Sequence, residues 1–270
     1  MIKAKKSLGQ NFLKDADVLG RIIKAANLSA DDVVVEIGPG EGALTELLAG
    51  VCKKVIAIEL DDRLIEPLHT KFVGNKNVEI IHDDILKLNL PALMEKELKD
   101  AGVTSYKVVA NIPYYITAPI IRLFLETKIP PIEVMFMVQK EVAERICAKP
   151  GEMSILAVSV QYYARAQFLF TVFKESFFPV PKVDSAIIHI SRNTKDAPPS
   201  AVEVKKFFRV VKSGFSAKRK TLINNIANSL QIDKKEIEEK LGLIGFSPST
   251  RAQELGVEDW KKLTDSFTDL

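Results

Sequence analysis

A chain of 270 residues with 47% hydrophobic content is long enough for one good core and a smaller second domain. Its formal net charge of +3 is too modest to argue for a nucleic-acid partner by itself, and its two cysteines, without paired spacing, give no metal set and point to a reducing compartment. No apolar run is long enough to span a membrane and residues 1–14 lack the apolar stretch of a signal peptide, so a cytoplasmic location is expected.

The chain opens on a basic arm with Lys3, Lys5, Lys6 and Lys14, which encloses Ser7-Leu8-Gly9-Gln10-Asn11-Phe12-Leu13. Polar Gln10 and Asn11 beside apolar Phe12 and Leu13 suit either the cap of a ligand pocket or the plain start of a helix. Val18, Leu19, Ile22 and Ile23 recur on one face and predict a helix over 15–26. Val33-Val34-Val35-Glu36-Ile37 then reads as a buried strand, followed at once by Gly38-Pro39-Gly40-Glu41-Gly42-Ala43 and a helix over 43–48. A strand-to-helix turn needs roughly one glycine; three at alternate positions predict close approach of the backbone to a nucleotide-type ligand at the helix N-terminus.

The next strand, 55–58, ends at Glu59, an acid placed to accept from ribose hydroxyls. A third, 78–81, ends in His82-Asp83-Asp84-Ile85. There Asp84 is placed to accept from an adenine amino group or, like Asp83, to cap a helix. His69, His82 and His189 suggest only structural roles. The apolar strand 106–110 runs into Asn111-Ile112-Pro113-Tyr114-Tyr115. Pro113 can neither donate a backbone hydrogen bond nor continue a central strand, so the chain turns away and leaves the Ile112 carbonyl free. The Asn111 side chain and that carbonyl can then accept from the exocyclic amine of a planar base while Tyr114 stacks on its ring. The competing reading is an ordinary strand end.

The glycine run also fits the dinucleotide fingerprint, with Ala43 in the last small position, so an oxidoreductase is the rival. Hydride transfer asks for an acid/base partner such as His or Tyr-Lys near the fourth strand, which ends instead in Asn-Ile-Pro-Tyr. An adenine-reading Asp84 better suits a ligand with one nucleoside and no pyrophosphate, which is S-adenosylmethionine.

Further on, the pattern predicts helices over 118–127, 139–148 and 154–164, and strands over 132–138, 168–173 and 186–191. The two prolines of Phe177-Phe178-Pro179-Val180-Pro181-Lys182-Val183-Asp184-Ser185 predict a stiff extended loop with an exposed aromatic, which either only connects two strands or places Phe177 across the site from Tyr114 to sandwich a flipped base. Residues 193–200, with Pro198 and Pro199, mark a domain boundary, so domains are expected over 1–192 and 193–270. The second is helical, with Leu222, Ile226, Ile237, Leu241, Leu243 and Leu255 at core spacings. Its run Lys205, Lys206, Arg209, Lys212, Lys218, Arg219 and Lys220 would ordinarily be a solvated face, but it contains no acid and so reads as a footprint for an RNA backbone.

Together these motifs resemble one family, the bacterial ribosomal RNA small-subunit adenine dimethyltransferases, relatives of the erythromycin-resistance rRNA methyltransferases and the mitochondrial transcription factor B proteins. The likeness covers nearly the whole chain and takes in Gly214-Phe215-Ser216 and Arg251-Ala252-Gln253-Glu254-Leu255 as well. It departs at Ala217-Lys218, where many members carry Gln-Arg. The resemblance implies an α/β, Rossmann-like methyltransferase fold with a mostly parallel seven-stranded sheet, plus a small all-α C-terminal domain. It implies S-adenosylmethionine contacts at Asn11, Leu13, Gly38, Glu59, Asp84 and Asn111, with Gly40 in the same turn. The expected catalytic set is Asn111, Ile112, Pro113, Tyr114 and Phe177, and Lys5, Lys6, Lys212, Lys218, Arg219 and Lys220 are expected to contact RNA. The implied target is two adjacent adenines in a hairpin near the 3′ end of 16S rRNA, each converted to N6,N6-dimethyladenosine by a monomer working on the small subunit or its precursor.

Overall fold

The structure is a computed structural model that describes Lys5 and residues 9–192 and 199–267. The chain divides into two compact units, Met1–Ala143 with Ala164–Arg192 and Glu144–Tyr163 with Asn193–Leu270.

In the first unit the elements run β1 (Phe12–Leu13), α1 (Ala16–Ala26), β2 (Val33–Ile37), α2 (Ala43–Ala49), β3 (Lys54–Glu59), α3 (Asp62–Phe72), β4 (Val78–His82), α4 (Leu90–Ala101), β5 (Lys107–Asn111), α5 (Thr117–Glu126) and β6 (Glu133–Gln139). After α6 (Lys140–Ile146) and α7 (Ile155–Tyr163) come β7 (Ala164–Val172), β8 (Phe177–Phe178) and β9 (Ser185–Arg192). Helix α4 is absent from the elements expected above, although its signals are present in the chain: Asn89 caps the Ala92 N–H, a proline sits in the first turn, and Gly102 closes the helix in the left-handed region.

Seven strands form one sheet in the order β4-β3-β2-β5-β6-β9-β7, parallel from β4 to β6 and antiparallel at β9 and β7. The parallel strands are apolar on both faces because helices cover both. Val34, Val109 and Met135 meet Leu19 and Ile22 of α1 and Leu44 and Leu48 of α2. On the opposite face Phe136 of β6 packs against Phe124 of α5 with ring centroids 6.1 Å apart. The chain departs from β2 in both directions, to β3 on one side and β5 on the other, and the carboxyl ends of strands at such a reversal form a crevice.

The second unit contains α7, α8 (Ala201–Gly214), α9 (Leu222–Leu230), α10 (Lys234–Leu243) and α11 (Val257–Asp265), with Ser200 and Glu203 closing a capping box on α8. A single cut after residue 192 misses α7, whose Ala157 and Val158 lie in the core of the C-terminal helices beside Phe207, Ile226, Leu241 and Trp260. Leu243, expected in that core, is instead 83% exposed at the end of α10. Asn225, buried on α9, donates to the carbonyls of Gly214 (2.6 Å) and Ala217 (3.0 Å) and so fixes the turn that carries Lys218, Arg219 and Lys220.

Candidate active site

The turns after β2, β3, β4 and β5 line one pocket, with the segment from Gly9 to Lys14 along its edge. Asn11, Leu13, Gly38, Gly40, Glu59, Asp84, Asn111, Ile112, Pro113 and Tyr114 all border it, so ten of the residues singled out in the sequence converge.

At the tip of β5, the Asn111 Nδ2 donates to the main-chain carbonyl of Asn11 at 3.3 Å. Only the NH2 end of the amide can meet a carbonyl, which leaves Oδ1 as an acceptor that no donor among the described residues meets. Pro113 cannot pair and the chain coils into a single 3₁₀ turn over Tyr114–Ile116, and among the described residues no turn or loop hydrogen bond reaches the Ile112 carbonyl. The Tyr114 hydroxyl is held by Ser185 Oγ at 2.6 Å, and burial pushes the phenol above its ordinary value against that hydrogen bond. Tyr114 is therefore a neutral ring, fixed from the far end. Ser185, the first residue of β9, is fully buried and supplies that anchor.

On the other wall, Glu59 accepts from the Asp61 N–H at 2.8 Å and from the Gly40 N–H at 3.2 Å. Burial raises its pKa while those backbone bonds oppose the shift. The acid and the glycine turn thus lock each other, and the Gly40 N–H is engaged by Glu59. Part of the glycine requirement is internal to the fold. Gly42 has φ +75°, and a Cβ there would stand 2.8 Å from the Phe72 ring. Gly38, at φ +64°, has open space where its Cβ would be and is the glycine that leaves the pocket wall bare. Lys71, which sequence reasoning did not single out, donates to the Gly42 carbonyl at 3.0 Å and pairs with Glu46 at 2.9 Å, stapling the turn to α3.

Asp84 borders the pocket and accepts from the Leu86 N–H at 3.0 Å; that bond closes a turn, whereas the next helix, α4, is capped by Asn89, so the helix-cap reading of Asp84 is corrected. Gln10 donates to Asp61 at 2.8 Å and borders the pocket, while α1 starts later, at Ala16. Arg63 holds the Asp61 carboxyl well below the usual carboxylate range.

The exposed aromatic expected at Phe177 is corrected. Its side chain is 3% exposed, sits in the core with its strand partner Leu13, and does not line the pocket. Pairing of β8 with β1 is the cause: successive residues of a strand point to opposite faces, and this one points inward. Of the basic residues, Lys5, Lys212, Lys218, Arg219 and Lys220 are exposed, and Lys6 lies outside the described residues. None of the four in the second unit has a side-chain partner among the described residues.

Sequence reasoning also passed over Glu36 as a titrating group. It lines the pocket, its Oε2 has no partner among the described residues, and burial pushes its carboxyl up to about 8. A carboxyl with a raised folded-state pKa holds its proton in the native protein and loses it on unfolding, so stability falls as pH rises from the ordinary value near 4.5 through about 8. Glu36→Gln is expected to remove that slope. Unfolding free energies from urea titrations at acid and alkaline pH should differ by about a few kcal/mol less in the variant than in the parent, and equal slopes would refute the assignment.

A sheet with its last strand slotted in antiparallel, over a crevice bordered by a buried acid after β3 and an amide at the tip of β5, fits one class: a methyltransferase of the Rossmann-like type. The sequence model for ribosomal RNA adenine dimethylase matches residues 1–269, and the chain belongs to that family. It is accordingly an rRNA adenine methyltransferase whose cofactor is S-adenosylmethionine. Among its relatives is ribosomal RNA small subunit methyltransferase A of Dehalococcoides mccartyi strain CBDB1, 44% identical over 97% of this chain and 88% of the relative. The protein of the same name from Geobacillus thermodenitrificans is 43% identical over 98% and 92%. Solved structures agree: 23S rRNA methyltransferase ErmE superposes with a TM-score of 0.77 at 27% identity over 95% of this chain and 99% of that one. A dimethyladenosine transferase from Plasmodium falciparum gives 0.78 at 28% over 93% and 95%. With the family established, the oxidoreductase reading falls. No helix among the described residues is long and apolar enough to cross a membrane.

Proposed function

We propose that this chain dimethylates the N6 amino groups of two adjacent adenines in a hairpin near the 3′ end of 16S rRNA, as a cytoplasmic monomer acting during small-subunit maturation. The single observation that carries the chemistry is the orientation of Asn111, whose Nδ2 is tied to Asn11 and whose Oδ1 is left to accept. The choice of small-subunit RNA is supported by the names and coverage of the relatives above 40% identity, against 27% for the 23S enzyme.

The residues at the pocket fit the cofactor. Glu59 would accept from the ribose hydroxyls, Asp84 from the adenine amine, and Gly38 with Asn11 and Leu13 would border the amino-acid end. S-adenosylmethionine supplies an electrophilic methyl group when bound. The target amine is a poor nucleophile because its lone pair is delocalised into the ring. Acceptance by Asn111 Oδ1 and the Ile112 carbonyl of its two N–H bonds in the first transfer, and of the one that remains in the second, favours a pyramidal nitrogen and fixes the angle of attack, so positioning and electrostatics supply the rate. Tyr114 stacks on the extruded base and offsets part of the cost of unstacking, which is a few kcal/mol. The amine becomes acidic on methylation and loses its proton without a dedicated base.

The C-terminal unit is proposed to bind the RNA backbone through Lys212, Lys218, Arg219 and Lys220, and the basic arm through Lys5 and Lys6. Changing Lys218, Arg219 and Lys220 together to alanine should flatten the slope of log K against log salt by roughly two for single-stranded RNA, with cofactor affinity held. An unchanged slope would remove this turn from the footprint. The reading as a whole is tested by tritiated methyl transfer to undermethylated small subunits against large-subunit RNA, with the modified nucleotide identified. Labelling of the large-subunit RNA alone would overturn it.

A further inference from the structure

The strand pair β1–β8 has two faces. Leu13 and Phe177 turn inward and are buried. Phe12 and Phe178 are direct partners across the antiparallel pair, and such partners stand on one face. Phe12 belongs to the pocket: its ring lies against Gly40, where a Cβ would stand 3.0 Å away. Phe178 does not line the pocket, yet it shares the face of a residue that does, and it is 57% exposed. The loop that follows stays exposed and apolar at Val180 and Val183, with the cation of Lys182 between them. Among the described residues no core cluster takes in the Phe178 ring.

We propose that Phe178 is a stacking platform for the nucleotide next to the target adenine, the one that stays outside when its neighbour enters the pocket. This rests on the function proposed above. The pocket's single amine-accepting pair, Asn111 and Ile112, holds one base, and extruding that base leaves the adjacent one without a stacking partner on that side. A bare aromatic ring at the rim accepts any base through its π-face. Its surroundings suit a nucleotide better than a protein partner, because Lys182 places a positive charge on the same loop, where a phosphate would follow.

The test uses the full-length chain and a hairpin RNA with two adjacent loop adenines, one replaced by the fluorescent base 2-aminopurine. Stacking on an aromatic ring quenches that probe. Wild-type protein should quench it, whereas Phe178→Ala and Phe178→Leu should not, and KM for the all-adenine hairpin should rise about tenfold in both, with cofactor affinity held. Phe178→Tyr should restore quenching and KM. The ring is exposed, so these variants keep their fold, which circular dichroism verifies. Quenching and KM at wild-type values in Phe178→Leu would overturn the platform. Asn111→Ala separates the two readings: methyl transfer that survives there sinks the account of the site itself, while its loss beside unaltered Phe178 variants sinks the platform alone.

Discussion

Asn111→Ala is expected to lower the rate of methyl transfer by about 10²–10³-fold or more, the range seen when one preorganised electrostatic partner is removed. RNA affinity should hardly change, because the basic residues proposed to bind the backbone lie elsewhere in the chain. The substitution also frees the Asn11 carbonyl, so a modest rise in the dissociation constant for S-adenosylhomocysteine is expected alongside. Single-turnover methylation with filter binding and calorimetry on the same preparation checks all three. Equal losses of RNA binding and turnover would point to a folding defect and remove the catalytic role from this side chain.

The second large effect concerns the C-terminal unit. Gly214 ends α8 where a Cβ would stand 2.4 Å from Trp260 and 2.7 Å from Leu222, both fully buried. Neither can retreat within a close-packed core, so Gly214→Val should cost about 3 kcal/mol or more. The protein has one tryptophan, and it is this one, so its fluorescence reports unfolding of this unit directly. Gly242→Ala is the contrast: it sits in α10 with nothing within 4 Å of the added atom, and it should be neutral or slightly stabilising. A wild-type urea midpoint for Gly214→Val would show that the packing described around Trp260 is wrong.

Much of this is legible in the chain because parallel strands buried on both faces announce themselves as apolar runs, and the residues at and just beyond their ends line the pocket. Val33–Ile37 is bounded to the residue for that reason, and Glu59, Asp84 and Asn111 fall at strand ends where a crevice must form. Two things are hidden. Face is decided by pairing, so whether Phe177 or Phe178 points outward cannot be read until β8 is set against β1. Partners brought together from distant positions are equally silent: nothing in the spacing of Lys71 and Gly42, or of Ser185 and Tyr114, reveals that they touch. The segment Glu144–Tyr163 escapes because its apolar residues suit a core without saying which one.

The bond from the Asn111 amide to the Asn11 carbonyl also carries a consequence for base selection. An aspartate at 111 could not donate to that carbonyl, and its charge would press against the oxygen. In the role proposed for them, Asn111 Oδ1 and the Ile112 carbonyl present lone pairs to the incoming edge. Guanine would bring its own keto oxygen into this space, so discrimination between the two purines is built in as mutual repulsion before any contact with the rest of the ring is made.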